Sequence, residues 1–190
     1  MRKLVLVAAF VFLASGAQAA FLEIEGGQLV GASEVLVDGN LYDVQFLDGT
    51  CIDLFNGCDQ ASDFAFQSVE TARAALLALD DQVLIDLPGP TPDFDLVVEL
   101  TNGCSSATEC FIQTPFAPSP NLLVTMFINR SSTDTLVGGS GNPYDPSTST
   151  VSDSERVYAV WSAVPEPSTT LLFLLGLTGL GASARRSGLA

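Results

Sequence analysis

Apolar residues in this chain are concentrated at its two ends, and the stretch between them is acidic and cysteine-bearing. At the C-terminal end three features follow in a fixed order. Pro165 and Pro167 fix their own φ angles and push the residues before them into extended geometry, so Glu166 lies on a stiff, non-helical ribbon. Ser168 and Thr169 can then cap a helix through the run Leu171 to Ala184. The 17 residues from Ser168 to Ala184 make a helix of roughly 25 Å against a hydrocarbon core of about 30 Å, a marginal membrane span. Arg185 and Arg186 follow, where long basic side chains reach headgroups and mark the cytoplasmic side.

The other end reads as an address too. Arg2 and Lys3 form a positive start, Leu4 to Ala14 an apolar run, and Ala17-Gln18-Ala19 a small-x-small cleavage site. Residues 1–19 are therefore expected to be a secretory signal peptide, with cleavage between Ala19 and Ala20. The tail, residues 164–190, resembles the PEP-CTERM sorting signal of bacterial exported proteins. The resemblance runs from Val164, Pro165, Glu166 and Pro167 through the apolar segment to Arg185 and Arg186, and departs from the family pattern in having two arginines rather than a longer basic run. It implies recognition by an exosortase, a membrane-embedded cysteine transpeptidase, and removal of the tail during export to the surface or exopolysaccharide matrix of a Gram-negative bacterium. An ordinary C-terminal anchor, leaving a periplasmic protein in the membrane, is the competing reading.

Fold reasoning then belongs to residues 20–163, enough chain for one domain with a modest core. This stretch has 21 acidic side chains against three basic ones, Arg73, Arg130 and Arg156, so a formal net charge of −18, and it has no Lys or His. Such a surface repels nucleic acid and anionic lipid or polysaccharide and favours solubility outside the cell. It could also hold divalent cations between carboxylates, although no calcium loop, phosphate loop or dinucleotide fingerprint is present. No metal or other cofactor is expected.

The four cysteines fall in two close pairs, Cys51 with Cys58 and Cys104 with Cys110. An exported chain with an even count points to disulfides, and of the three connectivities the local one is favoured because each pair flanks a turn-rich segment. Zinc is disfavoured by the wide spacing and the lack of His. The same lack removes Ser-His-Asp and Cys-His chemistry, and the lack of Lys removes Schiff-base and Ser-Lys chemistry. Carboxylate pairs of the glycosidase kind remain, locally Asp80-Asp81 and Asp93-Phe94-Asp95, and both read as solvated helix-end or loop positions. No catalytic residue is assigned, and the expectation is a protein that is not an enzyme. Tyr42, Tyr144, Tyr158 and Trp161 could furnish a sugar-binding surface, with core packing the commoner fate of strand aromatics. A carbohydrate- or Ca²⁺-binding module is the alternative function, and exopolysaccharide a candidate partner.

Local signals predict an α+β domain, a small antiparallel sheet with one main helix. Phe21 to Val30, with Gly26-Gly27, reads as a short strand pair or irregular lead-in. Val35, Val37, Tyr42, Val44 and Phe46 alternate around Asp38-Gly39-Asn40, a strong hairpin signal. The run Leu41 to Phe46 followed by Asp48-Gly49-Thr50-Cys51 also looks like the opening of many PEP-CTERM ectodomains, from which no functional residue carries over. Ser68 is a plausible N-cap for a helix whose face is Val69, Ala72, Leu76, Leu79 and Val83, ending near residues 82–86. Pro88-Gly89-Pro90-Thr91-Pro92 then reads as a rigid loop. Strands are expected at Leu96–Leu100, Cys110–Thr114, Leu122–Ile128 and Arg156–Trp161. Residues 131–155 are expected to form a long exposed loop rich in Ser, Thr and Gly, a candidate for O-glycosylation.

Overall fold

The computed structural model describes residues 20–85, 93–118, 120, 122–137 and 144–165. Ala17 and Ala19 of the expected signal peptide, the proline cluster at 88–92, and Glu166, Pro167, Arg185 and Arg186 lie outside them. So does the expected C-terminal span; among the described residues no helix is long and apolar enough to cross a membrane.

Two tight turns start the sheet. β1 (Phe21–Glu25) and β2 (Gln28–Val37) are joined by Gly26-Gly27, and β2 and β3 (Asn40–Leu47) by Asp38-Gly39. Asp38 and Gly39 both have positive φ, 49° and 86°, the geometry of the two-residue turn whose twist matches that of the flanking strands. Val35, Val37, Val44 and Phe46 are all buried, as the alternation requires. Midway along β2 the register shifts: Ser33 and Glu34 together oppose Asp43, whose carboxylate accepts from the Glu34 amide at 3.1 Å. This bulge bends β2 where β1 ends, since β1 pairs with β2 only as far as Ser33.

After β3 comes α1 (Cys51–Leu54), one turn capped by Thr50. The main helix, α2 (Val69–Gln82), begins where Ser68 Oγ accepts from the Thr71 amide, and Glu70 sits in its positive first turn. Ala72, Leu76, Leu79 and Val83 on the expected face are fully buried, with Ala75 between them. Burying each leucine contributes about 1.5–3 kcal/mol. At its other end Gln82 takes the place of a missing strand: its amide accepts from the Leu36 N–H and donates to the Leu36 carbonyl, both at 2.9 Å. Beyond Ser33 no strand pairs with β2 on that side among the described residues, and the side-chain amide satisfies the backbone of Leu36.

The remaining strands are β4 (Glu109–Ala117), β5 (Leu123–Arg130), β6 (Thr135–Val137) and β7 (Arg156–Ala163). The spatial order is β1-β2-β3-β7-β4-β5-β6. All neighbours are antiparallel except β4 and β7, which run parallel over Phe111–Gln113 and Arg156–Tyr158. Among the described residues the fold is thus mostly β, a mixed seven-stranded sheet with few helices, and corrects the expectation of an antiparallel one. The last strand inserts between β3 and β4, and only one of those neighbours can run antiparallel to it.

Two further expectations fail. Leu96–Leu100 is no strand: Asp93 accepts from the Leu96 amide through its carboxylate (3.0 Å) and from the Val97 amide through its carbonyl (2.9 Å), which turns the chain into a 3₁₀ turn at Val98–Leu100. Val98 is buried while Leu96 and Val97 face solvent. The 131–155 segment is no continuous exposed loop. It contributes β6, and from Tyr144 onward it packs on the sheet: the Tyr144 amide donates to the Leu122 carbonyl and the Thr150 amide to the Gly49 carbonyl.

Both faces of the sheet are covered. On one, α2 and Phe94 pack over Leu29, Val44, Phe46, Ile112, Phe127 and Trp161. On the other, Phe55, Phe64, Leu122, Val124 and Tyr158 gather around a disulfide between Cys51 and Cys58, whose Cα atoms are 5.7 Å apart. The second disulfide joins Cys104 to Cys110, Cα atoms 5.8 Å apart, on the helix side. The pairing is the local one expected.

Candidate functional site

β7 runs straight into the tail. Ala163, its last residue, is opposite Tyr42, and the Val164 amide donates to the Leu41 carbonyl at 2.9 Å. Val164 is half-buried and Pro165 is exposed. Among the described residues no linker separates the sheet from Pro165; the register persists to Val164. Beyond Tyr158 this strand is paired only on its β3 side among the described residues. Three aromatics hold its end. Phe66 lies 4.9 Å from Tyr42 and 5.5 Å from Trp161, centroid to centroid, and Tyr42 meets Trp161 edge-on at 6.4 Å. Trp161, buried, donates through Nε1 to Thr114 Oγ1 at 3.2 Å, which satisfies the one polar atom of its ring.

Beside this end of β7 opens a cleft of about 330 Å³, walled by Tyr42, Phe66 and Val37 and rimmed by Asp38, Asn40 and Gln67. It combines ring surface with carboxylate and amide groups, the mixture that holds a polar ligand with apolar faces. Tyr42 is the residue the sequence offered; Phe66 was missed, because its partners Tyr42 and Trp161 are distant in sequence and no local pattern marks it.

The other aromatics do not join it. Tyr158 is buried on the opposite face, where burial first and then Tyr144 hold its hydroxyl pKa above the usual value. Tyr144 donates to Met126 Sδ at 3.5 Å. The four candidates for a sugar surface are thus split between the two sides of the sheet.

The acidic pairs fare differently. Asp80 and Asp81 border a second cleft, of about 380 Å³, together with Asp95, Asp134 and Arg130. Burial, then Asp134 and then Asp81, raises the Asp80 pKa. Asp134 accepts from the Arg130 amide at 2.7 Å, and the Arg130 guanidinium bonds Glu109 at 2.9 Å. Asp93 is committed to the turn described above. Among the described residues no three His, Cys, Asp or Glu side chains are placed to hold a metal ion. Ala20, expected at the signal-peptide junction, is half-buried and packs against the helix-side core.

A third polar site, absent from the sequence reading, anchors the 144–155 segment. Thr150 Oγ1 donates to Asp48 Oδ1 at 2.8 Å and accepts from the Gly49 amide at 3.1 Å. Burial raises the Asp48 pKa, the Thr150 hydrogen bond opposes this, and Asp153 adds to the rise.

No curated protein and no solved structure matches the chain. One family description does, and it begins at the last residue of β7: residues 163–187 match the PEP-CTERM protein-sorting motif. The chain carries a PEP-CTERM protein-sorting motif, the signal by which exported proteins are targeted to an exosortase, and that motif starts at the last residue of a central strand of the sheet.

Proposed function

We propose that this is a non-catalytic protein of the cell surface or exopolysaccharide matrix, held in the inner membrane by residues 168–184 until an exosortase acts at Val164-Pro165-Glu166-Pro167. The observation that carries the reading is the sorting motif attached directly to an acidic, disulfide-closed domain. An exported domain of formal charge −18 is soluble once released and does not adhere to anionic lipid. Two disulfides suit an oxidising compartment. The absence of His and Lys from residues 20–163 supports a role other than catalysis. The test is a producing strain deleted for its exosortase. There the chain should accumulate in the inner membrane with the tail intact, and normal release in that strain would refute the reading.

A second reading is favoured by the cleft at Tyr42 and Phe66. Its ring surface beside Asp38, Asn40 and Gln67 suits a sugar, apolar on its faces and hydroxylated at its rim. Glycan-array binding that disappears in Tyr42→Ala would support it, and an array without signal for the wild-type domain would remove it.

A further inference from the structure

The β2–β3 turn reaches past the point where the chain leaves the sheet. Leu41 is level with Val164, so Asn40 and Gly39 lie one and two residues beyond it along the strand direction. At about 3.4 Å per residue the tip of the hairpin overhangs Val164 by roughly 7 Å. Val164 and Ser168, where the expected span begins, are four Cα-to-Cα steps apart, a tether of at most about 14 Å when fully extended. An enzyme that grips the backbone between these points has the overhanging turn against its own surface.

We propose that the tip of the β2–β3 hairpin, Asp38-Gly39-Asn40, is a contact surface for the processing enzyme, a part of substrate recognition whose nearest residue, Asn40, lies 123 residues before the start of the motif in sequence. The inference rests on the reading that the tail is processed at its motif. The occupant is the extracytoplasmic surface of that enzyme and not the lipid. The tip carries Asp38 and no basic residue, so it has nothing to attract anionic headgroups. The enzyme must reach a backbone beside the tip in any case. Val164 is fixed in register by its bond to Leu41, so the tip and the start of the motif are presented together.

The test compares tail removal in producing cells, read as the fraction of chain lacking the tail by intact mass, for four chains. These are wild type, Asn40→Trp, a chain with a roughly twelve-residue Gly/Ser linker between Ala163 and Val164, spanning about 20 Å, and the linker chain carrying Asn40→Trp. Asn40 is exposed, in a strand position that accepts an aromatic residue. A bulky side chain in a fitted contact should slow tail removal about tenfold in the native chain. Behind the linker the same substitution should change nothing, and a circular-dichroism melt of the Asn40→Trp chain matching wild type shows separately that the substituted domain folds. Removal of the Asn40→Trp tail at the wild-type rate overturns the proposal, as does slowing that persists behind the linker. If no chain, wild type included, loses its tail, the processing reading fails and takes this inference with it. If wild type and linker chains are both processed and only the tip is without effect, the reading stands and the contact alone is refuted.

Discussion

Replacing Thr150 with Val keeps the shape of a side chain that is only 5% exposed and removes its hydroxyl. Two bonds disappear, the one donated to Asp48 Oδ1 and the one accepted from the Gly49 amide. A bond to a charged group contributes about 1.5–3 kcal/mol and a neutral one about 0.5–1.5 kcal/mol. Asp48 is partly open to solvent, so water replaces part of what its carboxylate loses, and the net cost near neutral pH should be about 1–2 kcal/mol. For a domain of this size that is roughly 3–7 °C in Tm. The pH dependence follows from Asp48. Burial raises its pKa above the ordinary value of 3.8, and the Thr150 bond holds that rise in check. The folded state therefore binds the proton more tightly than the unfolded state, and stability is lost as pH rises from 3.8 through the folded pKa. Without the Thr150 hydroxyl the folded pKa climbs further, so the variant loses more over the same range. The stability difference should be largest near about pH 7 and shrink toward about pH 3, where the carboxyl is protonated in both states. Urea unfolding of the 20–163 chain and its variant at both pH values measures it. A difference that stays constant or grows on acidification would refute the assigned role of Asp48.

Leu79→Ala, at a fully buried position on the sheet-facing side of α2, should cost about 2–5 kcal/mol by the same assay; a loss below about 1 kcal/mol would mean the helix is not docked as described. Gly31→Ala should cost at least about 2 kcal/mol, since a Cβ there collides with the Val44 carbonyl of the neighbouring strand. A neutral outcome would place β2 and β3 out of the described register. The double substitution Cys104→Ala with Cys110→Ala opens a short loop and should remove about 2–3 kcal/mol. A non-reducing peptide map of the wild type should show Cys51–Cys58 and Cys104–Cys110 linkages, and crossed pairs would contradict the fold.

The features legible in the sequence are those with local causes. Asp38-Gly39 dictates its turn through two positive φ angles, and the alternation on either side fixes which face is buried. Ser68 and the spacing of Ala72, Leu76 and Leu79 specify α2 almost to the residue. The disulfides close loops short enough to read from spacing. What was missed depends on partners far along the chain. The parallel pairing of β7 with β4 follows from where the last strand inserts, which leaves no trace in its own residues. Leu96–Leu100 has the composition of a strand, but Asp93 turns it first. The 144–155 segment is too polar to order itself, and it is ordered because Thr150 finds Asp48 and Gly49, about a hundred residues earlier, and Tyr144 finds Leu122. At the candidate site, the motif was legible and its attachment was not. Pro165 and Pro167 announce an extended ribbon, while the bond from Val164 to Leu41 requires knowing that β3 and β7 are neighbours.

The central claim is that this chain is an exported domain released from a sorting tail. Mass spectrometry of its C-terminus, on protein recovered from a native producer by cell fraction, tests that claim most directly. The account predicts a terminus within Val164–Ser168 on protein from the surface or matrix fraction. An intact tail ending in Arg185-Arg186 and beyond, found in the inner membrane, would contradict it and make the protein a plain anchored periplasmic one.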